Sequence, residues 1–435
     1  MSSPPPSSAL RSPRLWIGSG LILAVIAALF SLLYVGGNVN PKGHLRDLPV
    51  ALVNEDKGAV VAKGEHLNAG DQVVSGVKKS AEGNDSFDWQ VLGKEEADKR
   101  IGQGKLFGAI VVPENFTASL TGLVSPQQTT AVRPTITVLT NQSAGSFGSS
   151  MASQATQKAA HSASAQLGTE LLKQANAQGA KLAPAAQLML ADPVSVQVTD
   201  GHPLGSHSAM GLSAFYYALV LVVCGMLGAN ALISQVDTFL GYLHTDYGPF
   251  RQRNPLRRTS RVRTLAIDSV LMVGLSLVMG SLVELATVGV LGMDASHLGL
   301  LWVYSVTTIA VVGIGALALL RAFGTPGMLL STIVFVAMAV PSSGSTVPLQ
   351  ALPDFFRVLS EFEPLRQITG GLRSILYYDA QADAGLTRAW VSLGIALVAT
   401  MLFGFGLTRF YDRKGLHRVP QSAKSIDAES EPAAV

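Results

Sequence analysis

Glu284 is a carboxylate inside the apolar run Leu265 to Val290. A charge at the centre of a membrane span costs about 2.5–3.5 kcal/mol on insertion scales, so such residues face a cavity or a bundle interior and mark substrate or proton paths. For Glu284 the structural alternatives are a place at the helix end or a buried hydrogen bond. Asp268, near the start of the same run, either reaches the interface or pairs with Arg261 or Arg263.

Arg251, Arg253, Arg257, Arg258, Arg261 and Arg263 fall within thirteen residues between two long apolar runs. Clusters of this kind beside membrane spans stay on the cytoplasmic side and orient the whole protein. The aromatic residues just ahead, Phe239, Tyr242 and Tyr247, make the loop 235–264 an amphipathic segment suited to anionic lipid or a cytoplasmic partner. An orientation signal without a partner explains the arginines equally well.

The turn Asn54-Glu55-Asp56-Lys57-Gly58 offers adjacent carboxylates, the hard oxygen ligands a cation needs. The following Ala-Val-Val supplies no further oxygens at the spacing of a calcium loop, so a turn closing a strand is the better reading. His161, His202 and His207 fit no zinc spacing. No Gly-x-Ser-x-Gly elbow lies in a strand-to-helix context, and no phosphate-binding Gly-x-x-x-x-Gly-Lys-Ser/Thr loop occurs. The sequence therefore calls for no metal, no cofactor and no catalytic centre, and the chain should not hydrolyse ATP by itself.

The elements that position these residues follow from composition. Of 435 residues, 48% are hydrophobic and only 14% charged, and the mean hydropathy is +0.35, which indicates an α-helical membrane protein. The net charge of +3 is too small to argue for nucleic acid. Lone Cys224 can form no intrachain disulfide. Six apolar runs read as spans: Leu15 to Tyr34, Leu212 to Ile233, Leu265 to Val290, Leu298 to Leu320, Met328 to Val340 with its flanks, a short run bracketed by Pro326 and Pro341, and Trp390 to Leu407. A cleavable signal peptide is the alternative for the first, but its apolar run is long and no clear cleavage site follows.

The short connection Leu291 to His297 lacks Lys and Arg, while the tail holds Arg409, Arg413, Lys414 and Arg418. Both termini are thus expected in the cytoplasm of a plasma-membrane protein. The expected layout is a disordered tail over 1–14, a span over 15–37, an extracellular domain over 38–211, a five-helix membrane domain over 212–410 and a cytoplasmic tail over 411–435. Within 38–211, Pro49 to Val53, Phe107 to Val112, Thr135 to Leu139 and Pro193 to Val198 read as strands, and Ala97 to Gly104 as helix. Ser146 to Leu182 is Ala/Ser/Gln-rich with a thin apolar stripe and reads as a long helix or helical hairpin. Together they make a small α/β domain. Over 343–388, apolar residues recur at helical spacing among charges, which suits interfacial or re-entrant helices.

Three stretches also resemble a family. Pro49-Val-Ala-Leu-Val-Asn-Glu-Asp-Lys-Gly58, Gly104-Lys-Leu-Phe-Gly-Ala-Ile-Val-Val-Pro-Glu-Asn-Phe116 and Val138-Leu-Thr-Asn141 resemble the extracellular part of the YhgE/Pip group of ABC-2-type membrane proteins. That group looks related to the yeast nitrosoguanidine-resistance membrane proteins. Pro341-Ser-Ser-Gly344, Pro353-Asp-Phe-Phe356 and Gly371-Leu-Arg373 match as well, as does the order of one span, a large outside domain and five further spans. The resemblance implies an exporter-like permease, working as a homodimer and energised by a separate ATPase that docks on Arg251 to Arg263. It would place Phe355, Phe356, Phe362, Arg366 and Arg373 at the outer mouth of a translocation path. The Pip branch instead implies an envelope receptor, secretion scaffold or phage-attachment site, and Glu284 leaves proton-driven efflux open.

Overall fold

The computed structural model describes residues 13–60, 66–124, 133–177, 184–247, 250–252, 254–416 and 418. They form two compact units, Met1–Leu212 with Val340–Glu363, and Ser213–Ala339 with Pro364–Val435. Most of the expected tails, and Arg253, lie outside the described residues.

The first unit begins with α1 (Pro13–Gly36), whose Leu, Ile, Val and Ala run without a charge after Arg14. Next come β1 (Leu48–Asn54), the short pair β2 (Ala59–Val60) and β3 (His66–Leu67), α2 (Ala69–Ala81), β4 (Phe87–Val91), α3 (Lys94–Ile101), β5 (Gly108–Val112), α4 (Phe116–Val124), β6 (Thr135–Thr140), α5 (Ser146–Ala177), α6 (Pro184–Ala191) and β7 (Ser195–Asp200). Five strands form one sheet in the order β4-β1-β5-β6-β7. All pairs are parallel except β5 with β6.

β1 is buried on both faces, which explains its unbroken apolar sequence. Leu52 joins Val73 of α2, Phe116 of α4 and Leu167 of α5 on one face, while Ala51 and Val53 meet Ala97 and Ile101 of α3 on the other. The thin stripe of α5 is thereby accounted for: Ala160, Ala163, Leu167 and Leu171 suffice to cover the sheet. Further along, α12 (Asp354–Phe362) completes this unit. The Phe356 ring lies against Gly36 and Gly37 at the end of α1.

The second unit holds α7 (Ser213–Phe239), the antiparallel hairpin of β8 (Thr245–Tyr247) and β9 (Phe250–Gln252), α8 (Arg261–Glu284), α9 (Leu298–Phe323), α10 (Thr325–Thr332), α13 (Pro364–Tyr377) and α14 (Leu386–Arg413). Short α11 (Ala339–Ser342) continues the line of α10. Among the described residues, five helices are long and apolar enough to cross a membrane: Ser213–Phe239, Arg261–Val290, Leu298–Phe323, Thr325–Ser342 and Leu386–Arg413. In α1, the first of the six expected spans, Leu23–Gly36 is a shorter apolar stretch by the same measure among the described residues.

The fifth expected span differs in an instructive way. Pro326 and Pro341 both lie within the helical stretch rather than bracketing it. Pro326 sits in the first turn of α10, where no donor is needed. Pro341 has no N–H for the carbonyl four residues back, Ala337, and the turn ending there, Ile333–Ala337, is π-helical.

α9 is the hub, packed by α7, α8, α10 and α14. Glycine makes several of these approaches possible: a Cβ on Gly225 would fall 3.0 Å from the Ile309 carbonyl oxygen, and one on Gly404 2.8 Å from Ala318 Cβ. Gly274, Gly394 and Gly406, by contrast, face open space. α13 is tied in by tyrosines. Tyr377 Oη pairs with Ser213 Oγ at 2.8 Å and accepts from the Ala214 amide, while Tyr304 Oη donates to the Ile368 carbonyl at 3.1 Å.

Candidate functional site

Two carboxylates and two guanidiniums meet inside the second unit. Arg321, in the last turn of α9, donates from Nε to Asp268 Oδ2 at 2.6 Å and from Nη1 to Asp237 Oδ1 at 2.7 Å. Arg418, beyond α14, grips Asp237 through both terminal nitrogens at 2.6 and 2.5 Å. Its guanidinium also lies 4.7 Å over the Tyr242 ring. The formal charges cancel, which such groups need in a setting of low dielectric. Burial is deep: Asp268 is 0% exposed, Asp237 3% and Arg321 8%. Compensation is incomplete, because Asp268 Oδ1 and Arg321 Nη2 have no hydrogen-bond partner among the described residues.

The cluster forms because four chain segments bring their ends together. α7 delivers Asp237 in its last turn, α8 delivers Asp268 two turns after its start, and α9 delivers Arg321. Asp412 of α14 caps α8 by accepting from the Arg261 and Val262 amides at 2.9 and 3.1 Å. Exposed amides at a helix start favour such a carboxylate. Arg261 Nε in turn donates to the Leu416 carbonyl at 2.8 Å, fixing the segment that carries Arg418.

Beside the cluster lies a cavity of about 690 Å³. Asp237, Arg261, Arg321 and Arg418 supply its charges, and Ile233, Leu320, Phe323 and Met328 supply apolar wall. A space lined by both fixed charges and hydrocarbon suits an amphipathic guest.

The sequence-derived candidates are only partly brought together. Asp268 pairs with Arg321, not with Arg261 or Arg263, because the nearby turns of α8 and α9 point it inward. Glu284 ends α8, sixteen residues further on, or about 24 Å along a helix rising 1.5 Å per residue. The two acids thus do not share a site. Glu284 is half-buried just before the π-helical turn Leu285–Val290, and its Oε2 has no partner among the described residues.

Of the arginine cluster, Arg251 lies on β9, Arg257 stacks 4.7 Å over Phe239, and Arg261 stacks 5.3 Å over Tyr411. Arg258 and Arg263 are exposed, and Arg253 lies outside the described residues. The expected amphipathic segment is built as a short hairpin.

The proposed mouth residues belong to different units, with Phe355, Phe356 and Phe362 in the first and Arg366 and Arg373 in the second. Phe355 and Phe362 are exposed, whereas Phe356 is buried. Removal from water pushes the Arg373 guanidinium below its ordinary value and the Tyr377 hydroxyl above its own.

The Asn54–Gly58 turn is occupied by its own chain. Asp56 Oδ1 accepts from the Gly58 and Thr117 amides at 3.2 and 3.0 Å, and Oδ2 accepts from the Gly70 amide at 3.0 Å and from the Thr117 hydroxyl. Asn54 donates to Asp71 at 2.7 Å, Lys57 pairs with exposed Glu114, and Gly58 adopts φ +71°. Glu55 donates its amide to the Val112 carbonyl at 3.0 Å. Among the described residues no group of three or more His, Cys, Asp or Glu is placed to hold a metal ion.

Sequence reasoning missed Asp237, Arg321 and Arg418. The second and fourth apolar runs end at Ile233 and Leu320, short of Asp237 and Arg321. The helices continue to Phe239 and Phe323 and carry both inside.

The sequence profile of the family described as "Protein of unknown function (DUF3533)" matches residues 19–396, which include the cluster except Arg418. The chain belongs to the DUF3533 family. This family member is also similar to "Uncharacterized protein YhgE" of Bacillus subtilis (strain 168), at 34% identity over 102 residues. The match takes in 22% of the chain and spans only 12% of that relative's length. No solved structure matches this family member.

Proposed function

We propose that this chain is a permease of the plasma membrane that moves an amphipathic lipid, drug or envelope component outward. The observation that carries the reading is the cavity between α7, α8, α9, α10 and α14, where buried charges adjoin apolar wall. Ionisable groups within spanning helices are expensive to keep, and they recur where a polar group must be received. In this reading α1 is a sixth span, both termini are cytoplasmic, and the α/β unit stands outside the cell.

Energy would come from a separate ATPase, since the sequence has no phosphate-binding loop of its own. The loop 235–264 with Arg251, Arg253, Arg257, Arg258, Arg261 and Arg263 is its docking place, and a homodimer is the working form. These features follow the ABC-2 resemblance. The test is a deletion strain complemented with wild type or with Arg257, Arg258 and Arg263 neutralised, read by efflux, by envelope lipid composition and by ATPase co-purification. Normal efflux and envelope composition in the deletion strain would overturn transport.

A receptor or secretion scaffold is the second reading, favoured by the two-faced core of the α/β unit. Grafting residues 38–211 onto an unrelated anchor separates the two, because restored phenotype without the membrane helices is incompatible with a permease. The buried oxygen of Glu284 favours a third, proton-driven efflux. It requires that Glu284→Gln abolish transport while no ATPase co-purifies.

A further inference from the structure

We infer that the cavity beside the charge cluster binds an oxyanion group, the chemistry shared by an anionic lipid headgroup and free phosphate. The inference rests on the reading of these helices as embedded in a membrane, and not on transport. Three guanidiniums, Arg261, Arg321 and Arg418, line the cavity against the single carboxylate of Asp237. Asp268 and Asp412 lie outside the lining, on Arg321 and on the Arg261 amide, so the inference rests on the guanidinium donors that line the cavity and not on a net charge.

Unspent donors are what an oxyanion needs. Arg321 is 8% exposed and its Nη2 has no partner among the described residues. Arg261 commits Nε to the Leu416 carbonyl, and that bond together with the Tyr411 ring holds the guanidinium at the cavity wall. Planar guanidinium forks match phosphate and carboxylate oxygens, and charge-assisted bonds are roughly twice as strong as neutral ones. The rest of the wall, including Ile233, Phe323 and Met328, is apolar. It would accommodate the first carbons of an acyl chain.

The experiment uses the intact chain in zwitterionic nanodiscs. Thermal unfolding is followed while short-chain phosphatidylglycerol, short-chain phosphatidylcholine or inorganic phosphate is added. Phosphatidylglycerol or phosphate should stabilise at a concentration at least about 10-fold lower than phosphatidylcholine, as one charge-assisted contact implies. If phosphatidylglycerol alone acts, the source is lipid; if phosphate acts equally, it is a free anion.

Arg261→Gln should weaken that effect about 10-fold, and Met328→Trp, which fills the cavity, should remove it. Arg409→Gln, at an exposed site off the lining, should bind as wild type does. Equal stabilisation by phosphatidylcholine, or unchanged binding by both Arg261→Gln and Met328→Trp, overturns the inference. Binding without transport in the deletion strain would sink only the permease reading. Transport with no preference for anions would sink only this one.

Discussion

Replacing Arg321 by Met should be among the most damaging single changes in the membrane helices. The side chain is 8% exposed and its two contacts, at 2.6 and 2.7 Å, go to carboxylates that are themselves buried. Asp237 would keep Arg418, but Asp268 would be left charged with no partner. Breaking a buried pair from one side costs about 3–5 kcal/mol, because the stranded ion stays desolvated. Replacing both members with apolar groups of similar size is often neutral or better. Arg321→Met with Asp268→Leu should therefore regain most of the loss, since the remaining Asp237 and Arg418 still cancel. At about 2–4 °C per kcal/mol for a unit of this size, the single variant should melt on the order of 10 °C below wild type and the double within a few degrees of it. The assay is thermal unfolding of purified protein in one fixed nanodisc, completed as a cycle with Asp268→Leu alone. A single variant within about 1 kcal/mol of wild type, or a double no better than the worse single, would refute the argument that pairing governs this site.

Three further outcomes follow from contacts outside that cluster. Gly371→Ala in α13 should destabilise by about 1–3 kcal/mol through overpacking, because the new Cβ would fall 2.4 Å from Tyr304 Oη and 2.7 Å from Ala389 Cβ. Helix propensity alone favours Ala by about 1 kcal/mol, so a raised melting temperature would show that α13 simply moves aside. Asp56→Ala removes an acceptor of four hydrogen bonds and should raise hydrogen exchange at the starts of α2 and α4. Added acetate should partly reverse the effect, whereas exchange unchanged from wild type would mean that the turn is held by other contacts. The hydrogen bond from Arg100 holds the exposed Glu96 carboxyl below its ordinary range. Its small stabilising effect is present above the ordinary glutamate range and lost as the pH falls through the depressed value. Glu96→Gln should flatten that part of a urea-stability profile, and an unchanged acid limb would rule the pair out as a contributor.

The parts of this structure legible in the sequence were those written in one stretch of chain. Apolar runs located the five long helices, and β1 and β5 stood out because burial on both faces forbids polar residues. β4 was not legible, since Phe87–Val91 is short and only partly buried at the sheet edge. Asn68, whose side chain accepts from the Asp71 amide and opens α2, was a local signal that could have been read. The charge cluster had no such signal. Its members are spread from position 237 to 418 and meet only when four helix ends converge, so the pairing of Asp268 with distant Arg321 instead of nearby Arg261 is a product of tertiary packing.

The turn after β1 has a consequence for how the α/β unit can be used. In open sheets of this kind the crevice at the end of a strand whose neighbours connect in opposite directions is where a guest usually sits, held by the first amides of adjoining helices. β1 is such a strand, flanked by β4 on one side and β5 on the other. At its end the amides of Gly70 and Thr117, in the first turns of α2 and α4, already close on the Asp56 carboxylate. The chain serves as its own tenant there. A visiting phosphate would have to displace a carboxylate tethered in place and held by four hydrogen bonds, so this end of the sheet is a closed joint rather than an open receptacle.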